Sequence, residues 1–169
     1  MITIEIKDGQ LEAALADLQG RLTDLSPVMA QIAEFLLDST VARFKTGTAP
    51  DGTPWVAKSP TTIEAYRRRK QRVSFRPLIG PTRMLSKESN FATASGADWA
   101  RVSSRAIQSA VMQFGAKKGA FGANKAGRPL PWGDIPARPF MGVSKGDEEN
   151  IGAVVEAWLL GQSHRNAAD

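Results

Sequence analysis

Apolar positions recur with helical or strand period over several stretches of the chain, and long turn-forming segments separate them. Ile2, Ile4 and Ile6 alternate with Thr3, Glu5 and Lys7, the period of a short strand with one covered face, and Asp8 and Gly9 end it. Leu11, Leu15, Leu18 and Leu22 then form one helical stripe, in which Gly20 weakens the last turn by about 1 kcal/mol relative to Ala. Ser26 as a cap and Pro27 as a first helical residue open a second helix, which carries Val28, Met29, Ile32, Phe35, Leu36 and Phe44 and stops at Gly47. The two helices are expected to form an αα-hairpin.

The stretch GTAPDGTPWVAKSP from Gly47 to Pro60 is turn-forming throughout, with Trp55 as an aromatic anchor. Ser59 and Pro60 begin a third, short helix whose exposed face is expected to hold Arg67, Arg68, Arg69, Lys70 and Arg72. Phe91–Ser95 and Trp99–Ser104 read as a hairpin joined across Gly96, Ala97 and Asp98, and Ala106–Phe114 as a brief helix closed by Gly115. Residues 115–133 are rich in Gly, Ala and Lys, with Phe121, Leu130 and Trp132 as anchors, and predict a mobile loop. In the segment IPARPFMG, from Ile135 to Gly142, Pro136 and Pro139 fix φ and push their predecessors out of the helical region, so the backbone runs extended. Such a rod presents Arg138 and Phe140 and suggests a docking element. Ser144 and Asp147 then cap a final helix with the stripe Ile151, Val154, Val155, Trp158 and Leu159, and a polar, frayed tail begins at Gly161. Without internal repeats or a linker, 1–169 reads as a single domain.

At 169 residues and 18.2 kDa the chain is long enough to bury a core. It has no cysteine, which removes disulfides, thiolate metal sites and Cys nucleophiles. The start, MITIEIKDG, lacks the layout of a signal peptide, and no apolar run reaches the roughly 20 residues of a membrane span, so synthesis in a cytoplasm is expected. The net charge of +5 is segregated. Residues 1–64 carry 5 basic and 9 acidic side chains, residues 65–133 carry 14 and 2, and residues 134–169 carry 3 and 6. A field so divided favours an acidic partner, whether nucleic acid or the acidic face of another subunit.

Candidate chemistry is sparse. The lone histidine, His164, sits in the polar tail, and one imidazole supplies neither an acyl-transfer triad nor a zinc site. Pro50 and Asp51 resemble half of a metal-dependent nuclease signature and Glu5, Ile6 and Lys7 the other half, but the order is reversed and Glu5 and Lys7 suit the solvent face of the first strand. Gly122 and Gly127 have phosphate-loop spacing, yet Arg128 and Pro129 follow where Lys and Ser or Thr belong. The acids at 147–149 fit a helix N-terminus without any ligand. No catalytic, cofactor or metal site is expected. Arg67, Arg68, Arg69, Lys70, Arg72 and Arg76 suit phosphate contact, a subunit contact or a solvated face, with only Tyr66 and Phe75 as interleaved aromatics.

Three motifs in register resemble the phage virion morphogenesis family, the tail-completion and neck proteins of Mu-like and related contractile-tailed phages. They are Phe44 followed by Asp51, Gly52, Thr53, Pro54 and Trp55 with a helix start at Ser59–Thr62; the triplet Gln113, Phe114 and Gly115; and IPARPF leading into an amphipathic helix. Pro81–Leu85 departs from the TG-x-L element common in the family, and Met112 stands where relatives often carry a polar residue or His. The resemblance implies an α+β fold, with helices packed on a small antiparallel sheet as in tail-terminator and neck proteins. It also implies a non-enzymatic structural protein of the virion neck, made in the host bacterial cytoplasm. Such a protein completes the tail and helps join it to the head as a ring of identical subunits. Its implied partners are itself, the tail tube or head connector, and packaged DNA if the basic segment touches it, with no membrane. Trp55, Phe114, Pro136, Arg138, Pro139 and Phe140 are the expected interface residues, while Trp55 and Phe140 fit a core equally well. A DNA-contacting neck protein and a capsid-assembly factor absent from the mature virion are the alternatives.

Overall fold

The computed structural model describes residues 9–161. The strand expected at Ile2–Ile6 and the tail with His164 lie outside the described residues. Among the described residues, five α-helices pack on a two-stranded antiparallel sheet, the α+β arrangement expected.

Helix α2 (Ser26–Thr46) is the axis of the fold. Its inner face, Val28, Ile32, Ala33, Leu37, Thr40, Arg43 and Phe44, recurs at steps of one to four residues and presents one stripe to the sheet and to α5 (Lys145–Leu159). Gly47 ends α2 in the left-handed conformation, φ +79°, and returns its N–H to the Arg43 carbonyl at 2.7 Å. The start differs from expectation. Ser26 is the first helical residue rather than the cap, and its N–H is taken by the Asp24 carboxylate at 2.9 Å, so Pro27 moves one place inward.

Helix α1 (Gly9–Thr23) does not fold back on α2 as a hairpin; its main neighbour is α5, where Arg21 donates to the Trp158 carbonyl at 2.8 Å. Leu15, Leu18 and Leu22 of its stripe remain exposed. A stripe specifies an apolar neighbour but not which one, and the turn at Asp24 and Leu25 directs α1 elsewhere.

Strands β1 (Phe91–Ser95) and β2 (Ala100–Ser104) pair from Phe91 opposite Ser104 to Ser95 opposite Ala100, and Gly96 closes the turn onto the Trp99 carbonyl at 2.9 Å. Helix α4 (Ser109–Phe114) is shorter than expected because Ala106–Gln108 form a turn. Residues 115–134 run out and back as an arm. Ala116 bridges Ile135, Phe121 and Leu130 exchange with each other's neighbourhood through bonds of 2.7 Å, and Leu130–Pro131 is cis. The capping box on α5 is present as expected, Ser144 and Asp147 each accepting from the other's backbone.

Helix α3 (Pro60–Arg68) has Ser59 as its cap, the hydroxyl accepting from Thr62 N at 3.2 Å. It stops at Arg68, so the basic residues do not share one helical face. Lys70 turns to φ +54°, and the Gln71 N–H closes onto the Tyr66 carbonyl at 2.9 Å, which throws Arg72 and Arg76 into the loop beyond.

Candidate functional site

The core is aromatic at its centre. Phe140 is fully buried, with its ring 5.4 Å from that of Phe44 and 6.3 Å from that of Phe91, and Trp55 meets Phe44 edge-on at 5.5 Å. Leu37, Leu78, Leu85 and Ala106 close around them. Tilted and edge-to-face pairs at these separations are each worth about 0.5–1.5 kcal/mol beyond the area they bury.

The extended IPARPFMG backbone cannot satisfy itself, since its geometry allows no internal ladder, and the other two motifs supply its partners. The Gln113 side chain works as a clamp: its Oε1 accepts from the N–H groups of Phe140 and Met141, both at 3.0 Å, and its Nε2 donates to the Met141 carbonyl at 2.8 Å. One amide thereby holds three backbone groups of the segment. Arg138 donates its own N–H to the Met112 carbonyl at 2.7 Å. The turn motif acts from the other side. Asp51 accepts from Thr53 N at 2.9 Å to shape the loop, which delivers Trp55 so that its indole N–H reaches the Pro139 carbonyl at 2.7 Å. The buried Arg138 guanidinium answers by donating to the carbonyls of Val56, at 2.6 Å, and Ala57, at 3.0 Å. Burial pulls the Arg138 pKa below its ordinary value, and carbonyl dipoles rather than a carboxylate surround the charge.

Gly115 shows why the triplet ends in glycine. Its φ is +74°, and a Cβ there would lie 2.7 Å from the Ile135 carbonyl oxygen and 2.9 Å from the Ala137 nitrogen. Gly115→Ala is therefore expected to destabilise the protein by roughly 1–3 kcal/mol, from the left-handed backbone and the forced separation of α4 from the segment. A urea titration of both proteins measures it; an unchanged midpoint would refute the close approach.

Beneath the segment lies a buried ion pair. Arg43 of α2 and Asp147 of α5 meet in a charge-assisted bond, each side chain almost entirely buried. The guanidinium also donates to the carbonyls of Phe140, at 3.1 Å, and Gly142, at 2.8 Å, while Asp147 accepts from the Ser39 hydroxyl at 2.6 Å and from the Ser144 N–H at 2.8 Å. Burial pushes the Asp147 pKa upward, but the Ser39 and Ser144 bonds and the Arg43 charge outweigh it and hold the carboxyl below its ordinary value. Neither residue figured among the expected site residues. A signal existed: Arg43 stands inside the apolar stripe of α2, and a cation there requires a buried partner.

The expected interface set divides accordingly. Phe140, Trp55 and Arg138 are buried within the chain, and Pro139 is half-buried. Pro136 is exposed, and Phe114, at 79% exposure, stands out from α4 beside the arm. The arm adds Phe121 and Trp132, both exposed. Of the basic set, Arg67, Arg68, Arg69, Lys70, Arg72 and Arg76 are all at the surface. The structure separates them: Arg67 and Arg68 lie beside Ile63 and Phe75, whereas Arg72 and Arg76 line a different cleft. Among the described residues, no helix is long and apolar enough to cross a membrane.

Taken together, these contacts define a braced α+β scaffold in which two sequence motifs fasten the third, the IPARPFMG segment. The chain belongs to the phage virion morphogenesis family, whose model matches residues 6–160. Membership gives it a structural or assembly part in a bacteriophage and associates it with the virion. Neither the curated proteins nor the solved structures contain a significant match.

Proposed function

We propose that this protein completes the phage tail and helps join it to the head, working without catalysis as a ring of identical subunits. The observation that carries this reading is where the apolar side chains go. Trp55, Gln113, Arg138 and Phe140 of the motifs are consumed in bracing the chain, while Phe114 of the triplet stands exposed on α4 with Phe121 and Trp132 on the arm. Large apolar groups clustered outside a packed core mark a contact surface. A closed ring requires heterologous interfaces, one patch meeting a different patch on the next subunit. The exposed leucines of α1 offer such a second apolar patch on a different element. On this reading Phe114 and Pro136 touch the neighbour directly, with tail-tube or head-connector proteins meeting the faces of the ring. Trp55, Arg138, Pro139 and Phe140 hold them in place from within.

Disrupting the gene is expected to leave filled heads and separate tails in electron micrographs of the lysate. Normal joined virions would sink the proposal. Heads that fail to form, with the protein on immature heads and missing from mature particles, would instead mark a capsid-assembly factor.

A further inference from the structure

Lys45, in the last turn of α2, and Arg72, Arg76 and Arg83, on the loop beyond α3, line one cleft of about 450 Å³ over the edge of Phe44. Among the described residues, the ion pairs occupy Arg21, Arg43 and Lys117, and none engages these four cations. They belong to a dense field: residues 65–87 carry eight Lys and Arg and no Asp or Glu. Bringing unpaired cations to one concave wall costs repulsion, which the fold offsets by fixing the wall from behind. The half-buried Lys58 donates to the Ser74 carbonyl at 2.6 Å and to that of Ile79, pinning both ends of the segment that bears Arg76. Arg83 is held at φ +54°, an uncommon conformation for a long side chain, by its N–H to Gly80 at 3.1 Å and by Ser86 and Lys87 donating to its carbonyl.

We propose that this cleft binds the phosphodiester backbone of duplex DNA, independently of sequence. Three of its four cations are arginines, whose planar forks match phosphate oxygens in pairs. Arg67 and Arg68 line a separate cleft beside Ile63 and Phe75. An acidic face of a second copy matches this field poorly. The chain's densest acidic run is 147–149, and Asp147 is already buried against Arg43. No base-reading element accompanies the arginines, so affinity comes from counterion release and falls with salt. The proposal stands whether or not the protein forms a ring.

Fluorescence anisotropy with the full chain and a short labelled duplex of arbitrary sequence tests it. Log Kobs is expected to fall linearly with log salt, and Arg72→Ala/Arg76→Ala/Arg83→Ala to weaken binding about tenfold or more and reduce the slope by about 2–3, one contact counting for roughly 0.9. These side chains are exposed, so thermal unfolding should be unchanged; if the triple variant unfolds, Lys45→Ala/Arg76→Ala, on separate elements, is expected to reduce the slope by about 1–2. The arm variant Lys117→Ala/Lys118→Ala/Arg128→Ala, with the same charge loss, should retain the slope. Equal weakening by both triples, no binding at low salt, or polyglutamate competing as well as unlabelled duplex of equal charge would each overturn the assignment, the last in favour of an acidic protein partner.

Discussion

Replacing Arg43 by Met is expected to cost about 3–5 kcal/mol of folding stability, a large share of the 5–15 kcal/mol typical of a domain. The cost does not measure the attraction of the pair alone. Without the guanidinium, Asp147 keeps a buried charge satisfied only by Ser39 and Ser144, and the carbonyls of Phe140 and Gly142 lose their donor. The double variant Arg43→Met/Asp147→Leu removes both charges and should lose clearly less than the sum of the single changes. Additive losses in urea unfolding would show that the two groups do not meet. The pair also predicts a pH response. Because the folded pKa of Asp147 lies below its unfolded value of about 3.9, its contribution is present in full above that value and is lost as pH falls through the folded pKa. Asp147→Asn should flatten part of that acid limb.

Phe140→Ala is the second severe change, expected at about 3–5 kcal/mol. The ring is wholly enclosed by Phe44, Phe91 and the segments around them, and its neighbours are held by backbone bonds that prevent collapse into the void. Phe114→Ala removes a ring of the same size from the surface and should alter stability by less than about 0.5 kcal/mol. The contrast separates a core aromatic from a surface one. Comparable losses at both positions, measured as denaturation midpoints with unchanged m-values, would contradict it.

What was legible in the sequence was local. The capping box of α5, the Ser59 cap of α3, the β1–β2 turn and the glycine stops at 47 and 115 are all decided within a few residues, where side-chain and backbone geometry leave few choices. The α2 stripe was legible in part: Val28, Ile32 and Phe44 were read correctly, Ala33, Leu37, Thr40 and Arg43 of the inner face were missed, and Met29, Phe35 and Leu36 are only half-buried. Three motifs in register also carried the family. Which parts meet was not legible. Trp55 and Pro139 lie 84 residues apart, and Arg43 and Asp147 lie 104 apart. Periodicity reveals that a face is apolar without naming its cover, so the α1 stripe suggested α2 where the fold places α5. The two prolines implied a segment outside any helix, as the structure has it, but such backbone needs external hydrogen-bond partners, and those came from within the chain. The basic stretch misled for a similar reason: its composition suggested one helical face, and a single left-handed residue, Lys70, broke it in two.

The family's motifs fasten Arg138, Phe140 and Met141 of IPARPFMG inside the chain instead of presenting them to a partner. Native-state amide hydrogen exchange on the isolated protein tests this directly. The amides of Arg138, Phe140 and Met141 should exchange with an opening free energy close to that of global unfolding, and Gln113→Ala should release Phe140 and Met141, whose N–H groups it accepts. Rapid exchange of those amides in the folded wild-type protein would contradict it.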